Sequence, residues 1–187
     1  MARSITTDFY QSFRFAVSIG TPGSNYITTA NAGFNNVTTP ELSMESAEYR
    51  EGTYIWTRKQ AGVPTVSDAT FQQGISSLGE GGNGAPFMAW ALAAINGAEY
   101  RTDITIYSIH RADMAAVRGV YDTSGKIVMD QLSPSRGLTL HEAYPIRVKP
   151  QADFDATSSE ISIREMDVAC EYISYGSDFE QIKNPGT

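Results

Sequence analysis

The stretch that decides the fold runs from Ala47-Glu48-Tyr49-Arg50-Glu51-Gly52 into Thr53-Tyr54-Ile55-Trp56-Thr57-Arg58-Lys59-Gln60-Ala61-Gly62. It follows the alternating run Phe34 to Met44, so it reads as a strand that feeds a long protruding hairpin. Aromatic residues lie beside basic ones on it, and none is a catalytic type in a catalytic spacing. Large aromatics with Arg are what protein interfaces prefer at their anchors, which makes Glu48, Tyr49, Arg50, Glu51, Tyr54, Ile55, Trp56, Arg58 and Lys59 candidates for contact with another subunit. Stacking on nucleic-acid bases and packing back on the chain's own body are the competing readings of the same residues.

Outward from the arm, the chain reads as short strands. Phe13 to Ile19 alternates apolar and polar positions and ends in the turn residues Gly20-Thr21-Pro22-Gly23. Ala32 to Val37 and Glu41 to Glu51 are further strands, and Val63 to Ile75 reads as the strand returning from the arm. Arg101 to Ile109 alternates strictly, with Ile104 and Ile106 on one face. Val117 to Tyr121 and Lys126 to Leu132 flank the turn Asp122-Thr123-Ser124-Gly125. Thr139 to Val148 is a strand with a break expected near Pro145, and Ser158 to Tyr172 holds two period-2 stretches offset by one residue, which predicts a bulge.

One segment breaks this pattern. Asn83 and Pro86 supply a cap and a first-turn residue, and Gly97 a stop, for a helix over about 85–96. Met88, Ala91, Leu92 and Ile95 fall on one of its faces. The expected fold is mainly β, an antiparallel β-barrel or sandwich with one flanking α-helix and a long protruding β-hairpin arm. The chain reads as one domain over 1–187, with the arm at about 50–66 and a mobile polar tail at about 176–187; at 187 residues it is long enough for one core and short for two.

Composition narrows the function. Apolar residues make up 41% and charged residues 19%, near ordinary globular usage, which argues against a disordered chain or a coiled coil. A net charge of -7 argues against tight binding of DNA, although the same repulsion would let a polyanion slide past an acidic wall. The one cysteine, Cys170, cannot form an internal disulfide and reads as a buried small hydrophobe. Met1-Ala2-Arg3-Ser4 lacks the apolar core of a signal peptide, and no apolar run is long enough for a membrane span, so the chain is expected to stay in the cytoplasm in which it is made or to leave by a route without a signal.

Chemistry finds little support. Gly79 to Gly84 precedes the helix but lacks the Gly-Lys-Ser/Thr ending of a phosphate loop. His110 and His141 have no metal-ligand spacing, and Asp153, Asp155 and Glu160 lack the glycine and further acids of a calcium loop. A serine nucleophile would need His and Asp in register, and no Gly-x-Ser-x-Gly elbow is present. The expectation is no enzyme, no cofactor and no metal.

The order of motifs carries more. Ser12 to Val17, Gly33-Phe34-Asn35-Asn36-Val37 and Ser46-Ala47-Glu48-Tyr49-Arg50-Glu51-Gly52, followed late in the chain by Ala143-Tyr144-Pro145-Ile146-Arg147-Val148 and Asp153 to Met166, resemble the tail tube protein family of contractile-tailed bacteriophages and related contractile injection systems. The resemblance implies a structural subunit of a virion tail, assembled in the host cytoplasm into stacked homohexameric rings inside a contractile sheath. The partners it implies are further copies of the chain, the tail sheath protein, the baseplate hub, the tail terminator, and the tape measure protein and DNA in the lumen. The arm would reach toward neighbouring subunits or the next ring. An inner tube that delivers protein, and a monomeric ligand-binding β-barrel, are the alternatives.

Overall fold

A computed structural model describes residues 8–20, 34–75, 85–98, 100–112, 136–154, 157 and 161–176. The strands among these residues are β1 (Phe15–Ile19), β2 (Asn36–Thr38), β3 (Leu42–Tyr49), β4 (Arg58–Val66), β5 (Ala69–Gly74), β6 (Thr102–Ser108), β7 (Arg136–Lys149), β8 (Ile163–Ala169) and β9 (Tyr172–Tyr175), and the helix described along its length is α1 (Ala85–Ile95). All pairings are antiparallel. Among the described residues seven strands form one sheet in the order β1-β6-β7-β8-β5-β2, with β9 on β7, while β3 and β4 pair only with each other. The predicted hairpins at 117–132, the Gly79 to Gly84 loop, Asn83, and the tail beyond Gly176 lie outside the described residues.

The long strand β7 organises the sheet. Its first half pairs β6 and β9, and its second half pairs β8. Between them Glu142 takes φ 52, a left-handed conformation that few side chains adopt and that turns the strand. Asp103 Oδ1 accepts the Glu142 N–H at 3.0 Å, so the bend has a fixed partner on β6. A second irregularity follows between Pro145 and Arg147, where the sequence predicts a break. The ladder between β5 and β8 runs without a shift from Gly74↔Ile163 to Ala69↔Val168. The bulge expected within 158–172 is therefore not inside β8; the interruption falls at Cys170 and Glu171, between β8 and β9.

This bend lets the two ends of one sheet face a common core. Val17 near one edge and Phe71 near the other belong to the same cluster as Ile104, Leu140, Met166 and Val168, all fully buried. Each such side chain contributes about 1.5–3 kcal/mol of burial. The alternation read in the sequence is what delivers them: Ile104 and Ile106 point inward from β6, Met166 and Val168 from β8.

The helix occupies the predicted span and ends in a glycine stop. Gly97 has φ 73, and the Ala98 N–H reaches the Ala93 carbonyl at 3.0 Å, closing the last turn. Its expected apolar face is corrected by the structure. Ala91 is buried in the core, but Leu92 and Ile95 are exposed. An almost wholly apolar helix carries no polar stripe to mark which side packs, so the sequence pattern could not choose.

The returning strand is also corrected. It is Arg58–Val66, and Ala69–Gly74 is a separate strand of the main sheet, divided from it at Ser67 and Asp68. The Ser67 N–H bonds the Glu41 carbonyl at 3.0 Å and the Ser67 hydroxyl takes the Glu41 N–H at 2.8 Å, which ties the base of the hairpin together.

Candidate functional site

The hairpin β3–β4 stands apart from the sheet, and every residue of β3 is exposed. Cross-strand pairs hold it together: Ser43 with Thr65 hydroxyl to hydroxyl at 2.7 Å, and Lys59 Nζ with Glu48 at 3.0 Å. Leu42 and Met44 lie opposite Val66 and Pro64, an apolar patch at the base of one face. Pro64 lacks an N–H, which limits pairing of a further strand along that edge.

The nine contact candidates fall into two groups along this hairpin. Glu48, Tyr49, Arg58 and Lys59 pair across the outer end of the ladder, as Glu48↔Lys59 and Tyr49↔Arg58. Arg50, Glu51, Tyr54, Ile55 and Trp56 form the connecting turn. The Tyr54 N–H bonds the Glu51 carbonyl at 3.1 Å, and the Arg58 guanidinium lies 5.1 Å from the Tyr54 ring centroid and 3.9 Å from the Glu51 carboxylate. Arg58 thereby gathers the turn. Ile55 and Trp56 take no part in that network and are 84% and 74% exposed.

An isolated two-stranded hairpin is marginal in water, and this one holds its largest apolar groups outward. Elsewhere ion pairs and side-chain hydrogen bonds join polar groups within the chain. On the outer face of the β5–β8 region, Arg147 spans Glu165 and Asp167, with Gln72 donating to Glu165 at 2.9 Å and Thr70 to Asp167 at 2.9 Å. The Arg147 guanidinium, helped by those two donors, holds both carboxyl groups below the usual carboxylate range.

The remaining sequence candidates hold structural places. His110 is buried, its Nε2 2.8 Å from the Asp8 carbonyl and its Nδ1 accepting the Ala112 N–H at 3.0 Å. Cys170 is half-buried, and burial pushes its thiol up to about 11. Asp153 pairs with Lys149 at 3.1 Å, while Asp155 and Glu160 lie outside the described residues. No group of three metal-ligand side chains and no helix long and apolar enough to cross a membrane occurs among the described residues.

A bent antiparallel sheet, one short helix and a detached hairpin match the order of motifs in the sequence. The sequence profile of the T4-like virus tail tube protein gp19 family matches residues 11–174. The chain belongs to this family. The match takes in the hairpin, the helix and every strand described above up to, but not including, the last residue of β9, so a tail tube fold accounts for the described architecture.

Solved structures agree on the fold. One is the anti-feeding prophage baseplate, 6-fold symmetrised, with a TM-score of 0.66 at 14% identity over 92% of this chain and 99% of that one. Another is the sheath-tube complex of an extracellular contractile injection system in its extended state, with a TM-score of 0.63 at 19% identity over 91% and 93%. The cap that terminates the anti-feeding prophage tube gives 0.62 at 17% identity over 94% and 93%. No curated protein matches the chain.

Proposed function

We propose that this tail tube family member is the ring-forming subunit of a virion tail tube, in which the β3–β4 hairpin is the joint between subunits. The observation that carries this is the hairpin itself, a separate two-stranded ladder with β3 exposed throughout and Ile55 and Trp56 at its tip. A monomer gains little from such an element, whereas a neighbouring copy would bury it. In this reading six copies form a ring, rings stack inside a contractile sheath, and the tube meets the baseplate hub and tail terminator; the family, and the contractile assemblies in which similar folds occur, support it. The role is structural and needs no chemical step. The net charge of -7 suits a lumen that DNA, and the tape measure protein before it, must leave without sticking. Assembly then takes place in the host cytoplasm, with no membrane involved.

Likeness of fold to an extracellular injection system favours a second reading, a tube that delivers protein. Genes for a capsid and terminase beside this one would decide for DNA.

Negative-stain microscopy of the purified chain tests the assembly. Rings or tubes are expected for the native chain, and loss of them on replacing Ile55 and Trp56 by serine. A monodisperse monomer at high concentration would sink the proposal, and undiminished tubes from the double variant would remove the hairpin from the joint.

A further inference from the structure

Three side chains from three strands converge on the outer face of the sheet, next to the bend in β7. His141 Nδ1 lies 3.0 Å from Asp103 Oδ2, and His141 Nε2 lies 2.8 Å from Ser174 Oγ. A carboxylate only accepts, so in the neutral ring Nδ1 carries the proton and donates it to Asp103. Nε2 is then left with its lone pair and accepts the Ser174 hydroxyl. Both distances are those of ordinary hydrogen bonds.

The arrangement is held from several sides. Asp103 is clamped through its other oxygen by the Glu142 N–H, and the His141 ring is stacked on Tyr172 with centroids 4.4 Å apart and planes 13° from parallel. The ring can neither flip nor swing without breaking that stack. The His141 and Asp103 side chains keep 13% and 19% exposure, so the cluster is shielded yet open at its mouth.

A hydroxyl bonded to an imidazole whose far nitrogen is fixed by a carboxylate is the constellation that activates serine for acyl transfer. We propose that Ser174 is a base-activated nucleophile that accepts a small acyl group from an activated ester or thioester. Its Oγ bonds to the acyl carbon, and the bond from that carbon to the departing oxygen or sulfur breaks. The hydroxyl proton passes to His141 Nε2 and from there to the leaving group, so the products are the acylated serine and a free alcohol or thiol.

The β7–β9 ladder fixes the backbone that carries the nucleophile. The Gly176 N–H bonds the Gly137 carbonyl at 2.7 Å, which sets the phase of the β7–β9 ladder. Amides alternate in direction along an antiparallel strand, so that of Ser174 turns toward β7 and that of Tyr175 turns away from it. Among the described strands β9 pairs with β7 alone, so the Tyr175 N–H turns toward the edge of β9 that no described strand covers.

The test uses a fluorophosphonate reagent on the full chain, with intact mass and peptide mapping. Oγ displaces fluoride from phosphorus, so one adduct at Ser174 is expected in the native protein. Ser174→Ala, which removes one hydroxyl from a half-buried site, should show none. His141→Gln and Asp103→Asn, checked for folding by circular dichroism, should label at least about 100-fold more slowly, the scale of general-base assistance. Heat-unfolded chain, in which the three residues are apart, should also lose the reaction. Native protein left unlabelled at Ser174, or a rate no faster than that of the unfolded chain, would overturn the assignment and leave a purely structural hydrogen-bond network.

Discussion

Gly62 of β4 crosses the Glu45 carbonyl so closely that a Cβ on Gly62 would lie 2.8 Å from that oxygen. The ladder register shifts here, Met44 pairing with Pro64 but Ser46 with Ala61, so Gly62 and Val63 face Glu45 alone. A side chain at 62 must push the two strands apart, because the obstacle is backbone. Gly62→Val is therefore expected to splay the hairpin and abolish tube formation in electron micrographs. The core lies elsewhere, so the melting temperature should move by no more than about 2 °C.

Trp56 offers a large rigid surface at the end of the same hairpin and packs little against its own chain. If it is an anchor in a neighbour's pocket, Trp56→Ala should cost on the order of 2 kcal/mol per contact, roughly 30-fold in association. The monomer should lose no more than about 0.5 kcal/mol. Sedimentation velocity across a concentration series, beside a urea melt, separates the two effects.

How far the sequence could be read depended on whether a strand has one wet face. β6 and β8 do, so the alternation of Ile104 with Ile106 and of Met166 with Val168 revealed both strands and their buried sides. β4 has almost no dry face, and Arg58–Val66 consequently shows no alternation, which is why the sequence pattern sets the returning strand too late. The helix was legible from its glycine stop, its packing side was not. Tyr54, Ile55 and Trp56 are visible as surplus apolar surface, since nothing in a spacing rule requires them. Asp103, His141 and Ser174 were invisible together, because their meeting depends on the register of β6, β7 and β9 and on the bend at Glu142.

Leu140 sits fully buried on β7 at the point where both sheet halves meet, paired with Ile104 on one side and Ile173 on the other. Leu140→Ala leaves a cavity that strands on both sides are poorly able to fill. A loss of about 2–5 kcal/mol is expected, read from the urea midpoint.

Cys170 tests burial directly. With its thiol pushed up to about 11, only on the order of one molecule in several thousand carries thiolate at pH 7.5. Reaction with a disulfide reagent should be at least ~100-fold faster once the chain is unfolded in urea; an equal rate in the two states would mean that the residue is open to solvent.

Arg147 links the pH response to a single side chain. It bonds both Glu165 and Asp167 and holds their carboxyl groups below their ordinary values. A depressed carboxylate adds stability above its unfolded pKa, about 4.3 for Glu and 3.9 for Asp, and that stability disappears as pH falls through the folded value. Arg147→Met keeps much of the aliphatic stem and removes the charge. Native and variant urea midpoints should therefore stand apart at pH 7, approach one another between roughly pH 5 and pH 3, and converge below that. Gln72 and Thr70 keep their bonds to the two carboxylates, so the variant should retain a weaker acid dependence of its own. A separation as large at pH 3 as at pH 7 would assign the loss to packing of the arginine stem and remove the charge from the explanation.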